Sequence, residues 1–471
     1  MKFLSLLICF SLSGIAHAIP ERFINSVSVK GQTITYHLNK EFHNTYLRDN
    51  LFVTYQNNID LTELDYSILT MPLIMNTISI VWISGKDYYI ESMDKHLYES
   101  LEIVHETFKR FYPHTSWNGR LIPKKLIEAQ PTNKNSSCHI AIPFSNGLDS
   151  VCTSIRHHDI PQLLMTVRGC PDTPLDTWNS NWRTTQKAIS HFADIHGHKI
   201  SYVHSNFHEF FDWELLKNIS PEITNWRMDT IEDLGWIGLA APIVVAQGIQ
   251  KLVLASNEDW SILHPGASCP LVIDTVSFAN VSVTCDAFDI PRPEKNNCIA
   301  TICNTQHLEK PRMFVCEQVA PERQNCCKCQ KCAITILSFL LINENPREYG
   351  FNINRSEFLD YFRTQYFQDN LYSPHRACWF KYAQLKAREK LSTFDPELAD
   401  FFSWFITIDF NKLTLPNPQI DIDYDLFRDL WDGIPANWQQ SRKSIQVTHT
   451  AGTLNDEDYN LVWEKNNRDL H

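Results

Sequence analysis

The chain has 471 residues, more than one ordinary domain holds, with 43% hydrophobic and 20% charged residues. These are the proportions of a folded globular protein rather than a disordered one. The formal net charge of −12 is spread without a basic block, which argues against a nucleic-acid surface.

Residues 1–18, MKFLSLLICFSLSGIAHA, combine Lys2, an apolar core from Phe3 to Ile15 and an Ala16-His17-Ala18 cleavage pattern. These are the three parts of a secretory signal. They predict export to a periplasm or the cell exterior, with cytoplasmic residence if the signal does not function. No later segment reaches the ~20 apolar residues of a membrane helix, so no membrane association is expected after cleavage. Oligomeric state is not legible.

Beyond the signal, residues 19–135 are expected to form a small α+β domain. Ser26 to Leu38 alternates around Lys30-Gly31, a hairpin signal. Ser79 to Ile83, SIVWI, reads as a buried strand. After Asp94, the residues Leu97, Leu101, Val104, Phe108 and Phe111 share one helix face. The polar stretch from Glu128 to Cys138 suits a linker.

A different pattern fills residues 136–343. Apolar runs at His139–Phe144, Gln162–Val167, Lys199–His204 and Lys251–Ser256 alternate with helical segments, the clearest at Trp182–His196 and Asp233–Gln250. Strand and helix in alternation predict a doubly wound parallel α/β sheet, with ligands at the carboxyl ends of its strands. Residues 344–438 read as a helical region rich in Trp and Phe, and residues 439–471 as a polar tail. No internal repeat is present.

Between the first of these strands and its helix stands Ser145-Asn146-Gly147-Leu148-Asp149-Ser150. A strand-to-helix turn exposes unpaired N–H groups at the positive end of the helix dipole, which suits a phosphate. Gly147 permits close backbone approach, and Ser145 and Ser150 add hydroxyl donors. Asp149 suits either a magnesium ion or a helix cap. The same residues also suit a plain turn; their place after the sheet's first strand favours the phosphate loop.

FSNGLDS resembles the S-G-G-x-D-S loop of the PP-loop (N-type ATP pyrophosphatase) superfamily, which has the adenine nucleotide alpha hydrolase-like (HUP, Rossmann-like) fold. Asparagine synthetase, GMP synthetase and 7-cyano-7-deazaguanine synthase belong to it. The resemblance implies that Ser145 through Ser150 bind ATP phosphates with Mg2+, and that a substrate oxygen is adenylated so that a nitrogen or sulfur nucleophile displaces AMP. One position departs: Asn146 stands where the family has glycine.

The 14 cysteines include Cys9 of the signal, and five crowd between Cys316 and Cys332. Cys316, Cys326, Cys329 and Cys332 follow C-x9-C-x2-C-x2-C, a spacing that suits a closed structural zinc site. Two disulfides in an exported protein and an iron–sulfur cluster are the alternatives. Cys327 is a spare thiol or an alternative ligand, and Lys328 and Lys331 offset some of the thiolate charge. The cluster is similar in spacing and in order to the zinc cluster of 7-cyano-7-deazaguanine synthase-like proteins, so the resemblance spans His139 to about Asn343.

Further candidates lie at strand ends. Ser205 and Asn206, at the end of the third strand, fall where the resemblance implies the adenosine sits, and equally suit a plain strand-to-loop turn. Ser256, Asn257 and Asp259 follow the next strand. Lys295, with Arg292, occupies a late position like that of a family lysine that meets the phosphates, where a cation would stabilise developing charge. The histidines His157, His158, His191, His196, His198, His204 and His208 lack an H-E-x-x-H pattern. No G-x-S-x-G elbow occurs and Cys152 has no indicated base, so hydrolase chemistry is not expected. The leading expectation is an ATP-dependent adenylating ligase or synthase with a structural zinc, acting on an unassigned small substrate. Its rival is an inactive exported nucleotide-binding or interaction protein that retains the fold.

Overall fold

The computed structural model describes residues 19–414, except 57–58, 133–135, 171–172, 176–179, 258, 260–264, 318–323, 368–371 and 373. The expected signal, the polar tail and the helical region past residue 414 therefore lie outside the described residues.

The centre is a nine-stranded sheet. In chain order its strands are β1 (Ile24–Lys30), β2 (Thr33–Leu38), β3 (Phe52–Tyr55), β4 (Ile140–Pro143), β5 (Gln162–Arg168), β6 (Lys199–Ser205), β7 (Lys251–Ala255), β8 (Ser277–Phe278) and β9 (Val281–Asp286). Their spatial order is β8-β9-β7-β4-β5-β6-β3-β2-β1. The five strands β9-β7-β4-β5-β6 run parallel, with antiparallel strands added at both edges. The four apolar runs of the sequence are all parallel strands, and the chain reverses its direction of travel across the sheet between β4 and β7.

Alternation of side chains along a strand explains how the sheet is covered. Ala141, Leu163, Met165, Leu252 and Leu254 join one buried cluster, while Ile140, Ile142, Leu164 and Val253 join another. Strands buried on both faces read as continuous apolar runs, which is why they were legible. The first face carries α1 (Met71–Ile83), α2 (Lys95–Phe111) and α5 (Glu232–Gln247). The second carries α3 (Leu148–Arg156), α4 (Ser180–His196), α6 (Arg292–Gln306) and α7 (Gln330–Leu340).

Two expectations change in the N-terminal segment. Ser79 to Ile83 is the end of helix α1, not a strand. Every residue of α1 from Met71 to Trp82 is buried, so no polar face marks its 3.6-residue period. Helix α5 packs closely on it: a Cβ at Gly235 would stand 2.5 Å from Asn76 Oδ1, and one at Gly238 2.7 Å from Met75 Cβ. In addition, the β1–β2 hairpin and β3 extend the main sheet rather than forming one of their own. β3 pairs antiparallel with β6 through Val203–Tyr55, His204–Thr54 and Ser205–Val53. The expected helix after Asp94 is α2, with the Asp94 carboxylate accepting from Leu97 N.

The C-terminal region is helical, with α8 (Pro374–Lys390) and α9 (Pro396–Phe405) packed beside α7. Rings fill the contact: Phe362 stacks on Tyr366 with centroids 4.4 Å apart, and Phe380 on Phe410 at 5.3 Å. This packing brings Arg376 and Trp379 of α8 to the end of the parallel sheet. No described helix is long and apolar enough to cross a membrane.

Candidate functional site

The loop after β4 is held at both ends. Phe144 N donates to Met165 O at 2.7 Å, keeping the chain beside β5. Asn146 has φ +60°, a left-handed conformation that asparagine tolerates better than most residues. Its carbonyl accepts from Phe314 N at 2.9 Å and its Nδ2 donates to Arg312 O at 3.1 Å. Asn146 thus clamps the loop to the segment that leads into Cys316. Its side chain faces that segment, not the expected phosphate position.

Within the loop, Ser150 Oγ accepts from Ser145 N and donates to Gly147 O, and Ser145 Oγ accepts from Gly147 N, each at 3.3 Å. Gly147 has φ −83° and ψ 173°, a conformation open to any residue; a Cβ there would stand 3.2 Å from Ser145 Oγ. No side chain caps α3, so the first-turn N–H groups of Leu148, Asp149 and Ser150 face the loop uncapped. Leu148 puts its side chain in the core and has only this backbone donor to offer.

Asp149 is not a helix cap. Its Oδ2 accepts from Arg292 Nη1 at 2.6 Å and its Oδ1 from Lys295 Nζ at 2.9 Å. Both cations rise from the first turn of α6. Lys295, 1% exposed, also donates to Ser256 O at 2.5 Å. Arg292 N donates to Asp259 Oδ2 at 3.0 Å, and its guanidinium lies 4.9 Å from the Trp379 ring centroid. Burial opposes ionisation of Asp149, but Arg292 and then Lys295 outweigh it and hold the carboxyl well below the usual carboxylate range. The structure thus brings Asp149, Arg292, Lys295 and Ser256 together. It turns Lys295 toward the protein, and it engages both oxygens of Asp149, the residue for which sequence offers a magnesium ion or a helix cap.

A cleft of about 470 Å³ opens at the carboxyl ends of β4, β5 and β7, with Ser145, Asp149, Ser150, Thr166, Asn257 and Lys331 in its wall. Arg227 and Arg376 also reach it. Arg227 pairs with Glu232 at 3.2 Å, and Arg376 pairs with Glu317 and donates to Gln330 Oε1 at 2.8 Å. Ser205 and Asn206 hold the sheet edge instead of a ligand: Ser205 Oγ donates to Phe52 O at 2.7 Å, and Asn206 bonds Phe52 N and Asn50 O, each at 2.9 Å. Both are buried beneath β3, a strand that sequence alone did not put there.

The second element is the cysteine cluster. The sulfurs of Cys316, Cys326, Cys329 and Cys332 all lie within 4.8 Å of one another, with Cys326–Cys332 and Cys316–Cys329 at 4.0 Å. A tetrahedral zinc with bonds of about 2.3 Å needs sulfur–sulfur edges of about 3.8 Å, whereas a disulfide needs about 2.05 Å. The arrangement fits a metal, and all four thiols are free. The N–H groups of Lys328 and Cys329 point at Cys326 Sγ at 3.4 and 3.2 Å. Cys329 is the N-cap of α7 and Cys332 lies in its first turn, where the helix dipole favours thiolates. A hydrogen bond from Cys332 holds the Cys329 thiol below its ordinary range. Cys327 turns its thiol to Asn325 O at 3.5 Å, outside the set.

Among the described residues this is the group of four that could hold a metal. The described histidines form no such set; their partial burial disfavours the charged imidazolium and pushes His198 and His208 down to about 4. Comparison with protein-family models, with curated proteins and with solved structures gives no match to this chain.

Proposed function

We propose that the chain is an ATP-dependent adenylating ligase or synthase of the PP-loop type, built on a doubly wound sheet and held at one end by a structural zinc. The observation that carries this reading is the loop itself. Ser145 to Ser150 opens helix α3 at the carboxyl end of β4, where the strand order reverses between β4 and β7, and a cleft lies in front of it. In open α/β sheets such a crevice is the usual ligand site.

In this reading the N–H groups of Leu148, Asp149 and Ser150, with the Ser145 and Ser150 hydroxyls, bind the pyrophosphate part of ATP. Bound ATP supplies an activated α-phosphorus to a substrate oxygen. Asp149, Arg292 and Lys295 fasten α3 to α6 and keep the loop in shape, and Asn146 fastens it to the Phe314 segment. Mg2+ is expected to arrive with the nucleotide, since both Asp149 oxygens already bind cations. The cysteine set accounts for zinc as a structural ion with no open coordination position.

Incubation of the protein with ATP, magnesium, ammonia and a panel of carboxylates tests the proposal. AMP and pyrophosphate should appear together with one class of substrate. The engaged Asp149 favours a second reading, a nucleotide-binding protein without turnover. Its outcome is saturable ATP binding with no AMP from any substrate.

A further inference from the structure

The cleft contains one cation that the sequence assigned to another role. Lys331 lies between Cys329 and Cys332, in the first turn of α7, and its side chain is in the cleft wall with Ser145, Asp149 and Ser150. The other cations around it are engaged: Arg292 and Lys295 with Asp149, Arg376 with Glu317, and Arg227 with Glu232. Among the described residues Lys331 makes no side-chain hydrogen bond or ion pair. It is also half-buried, and an ammonium drawn partly out of water without a partner is unfavourable until an anion meets it. Lys328, the other lysine of the cluster, lies 5.7 Å from the Tyr361 ring centroid and is not in that wall.

The position of Lys331 follows from the cysteines. Its neighbours Cys329 and Cys332 are two corners of the sulfur set, and Cys316, a third, ends the segment that Asn146 clamps. A metal drawing the four sulfurs together fixes the first turn of α7 against the loop.

We propose that Lys331 is the binding residue for the anionic group of the ligand in this cleft, and that the metal at Cys316, Cys326, Cys329 and Cys332 governs ligand affinity by positioning it. The inference rests on the cleft being the pyrophosphate site. Neither Arg292 nor Lys295 can take this role, because both are closed on Asp149.

Calorimetric titration of the metal-loaded full chain with magnesium pyrophosphate tests it. Lys331→Gln should bind at least about tenfold more weakly, the loss of one charge-assisted contact, with unchanged metal content and melting temperature. Lys331→Arg should retain most of the affinity and Lys328→Gln all of it. Chelating the metal, at a temperature where circular dichroism shows the chelated chain still folded, should weaken the wild type toward the level of Lys331→Gln and weaken Lys331→Gln little further. Wild-type affinity in Lys331→Gln overturns the inference alone. Equal losses on chelation in both proteins overturn the metal's positioning role. If the wild type itself does not bind pyrophosphate, the cleft reading fails and takes this inference with it.

Discussion

Asp149 accepts from two buried cations through its two oxygens, and the stability of the loop turns on that carboxylate. Removing it in Asp149→Ala leaves Lys295 and Arg292 buried without a counter-charge. Losses on breaking buried pairs are about 3–5 kcal/mol, so urea unfolding should show a loss of that order; a loss below about 1 kcal/mol contradicts a stabilising role for this carboxylate. The pH dependence follows from the direction of the shift. The folded Asp149 titrates below its unfolded value of about 3.9, so its contribution is complete above that value and is lost as pH falls toward and through the lower folded value. Asn146→Gly is a milder change. The Nδ2 bond to Arg312 is lost, while a left-handed backbone and a buried Oδ1 without a partner are relieved. Stability should move by no more than about 1 kcal/mol, and pyrophosphate affinity by less than about threefold; a large gain in affinity shows that the side chain obstructs the site. At this scale sequence singled out Asp149, Arg292 and Lys295, which meet, but not how they pair. Lys295 looked like a phosphate contact because its direction depends on Asp149, 146 residues away in the chain.

The cysteine turn was the most legible element because its chemistry is local. Three of its four thiols lie within seven residues, and two close on the first turn of α7. Cys329→Ser should lower zinc content and melting temperature together, since structural zinc contributes on the order of 10 kcal/mol in small domains. A chelated protein that keeps its melting temperature contradicts a structural metal. Helix α1 was illegible for the opposite reason. Its sequence from Met71 to Ile83 is apolar almost throughout, and only its partner helix α5, more than 150 residues later, determines that it is a helix. Ser205 and Asn206 are illegible for the same reason: sequence places them at a strand end, while β3, remote in the chain, covers them.

Over the whole molecule, the parallel core was readable from four apolar runs, whereas the edges were not. β1 to β3 reach β6 through antiparallel pairing that alternation alone cannot assign to a neighbour. Half-buried histidines give the molecule a pH response outside the site. His198 and His208 are pushed down to about 4 by burial, and burial also lowers His105, His196 and His204. These groups fold in the neutral form, so their contribution is complete above the unfolded value of about 6.5 and declines as pH falls from there toward about 4. Melting temperature should therefore drop between about pH 6.5 and 4, before Asp149 titrates. A flat profile across that window contradicts the burial of these rings.

The most direct test of the central claim is a melting-temperature series of the metal-loaded chain against magnesium–ATP. A ligand that binds only the folded state raises the melting temperature with concentration. The account predicts a saturable rise, with pyrophosphate competing for the same site and Ser150→Ala weakening the response. No rise with ATP or pyrophosphate at millimolar concentration would contradict it and leave the stretch from Ser145 to Ser150 as a turn that opens a helix.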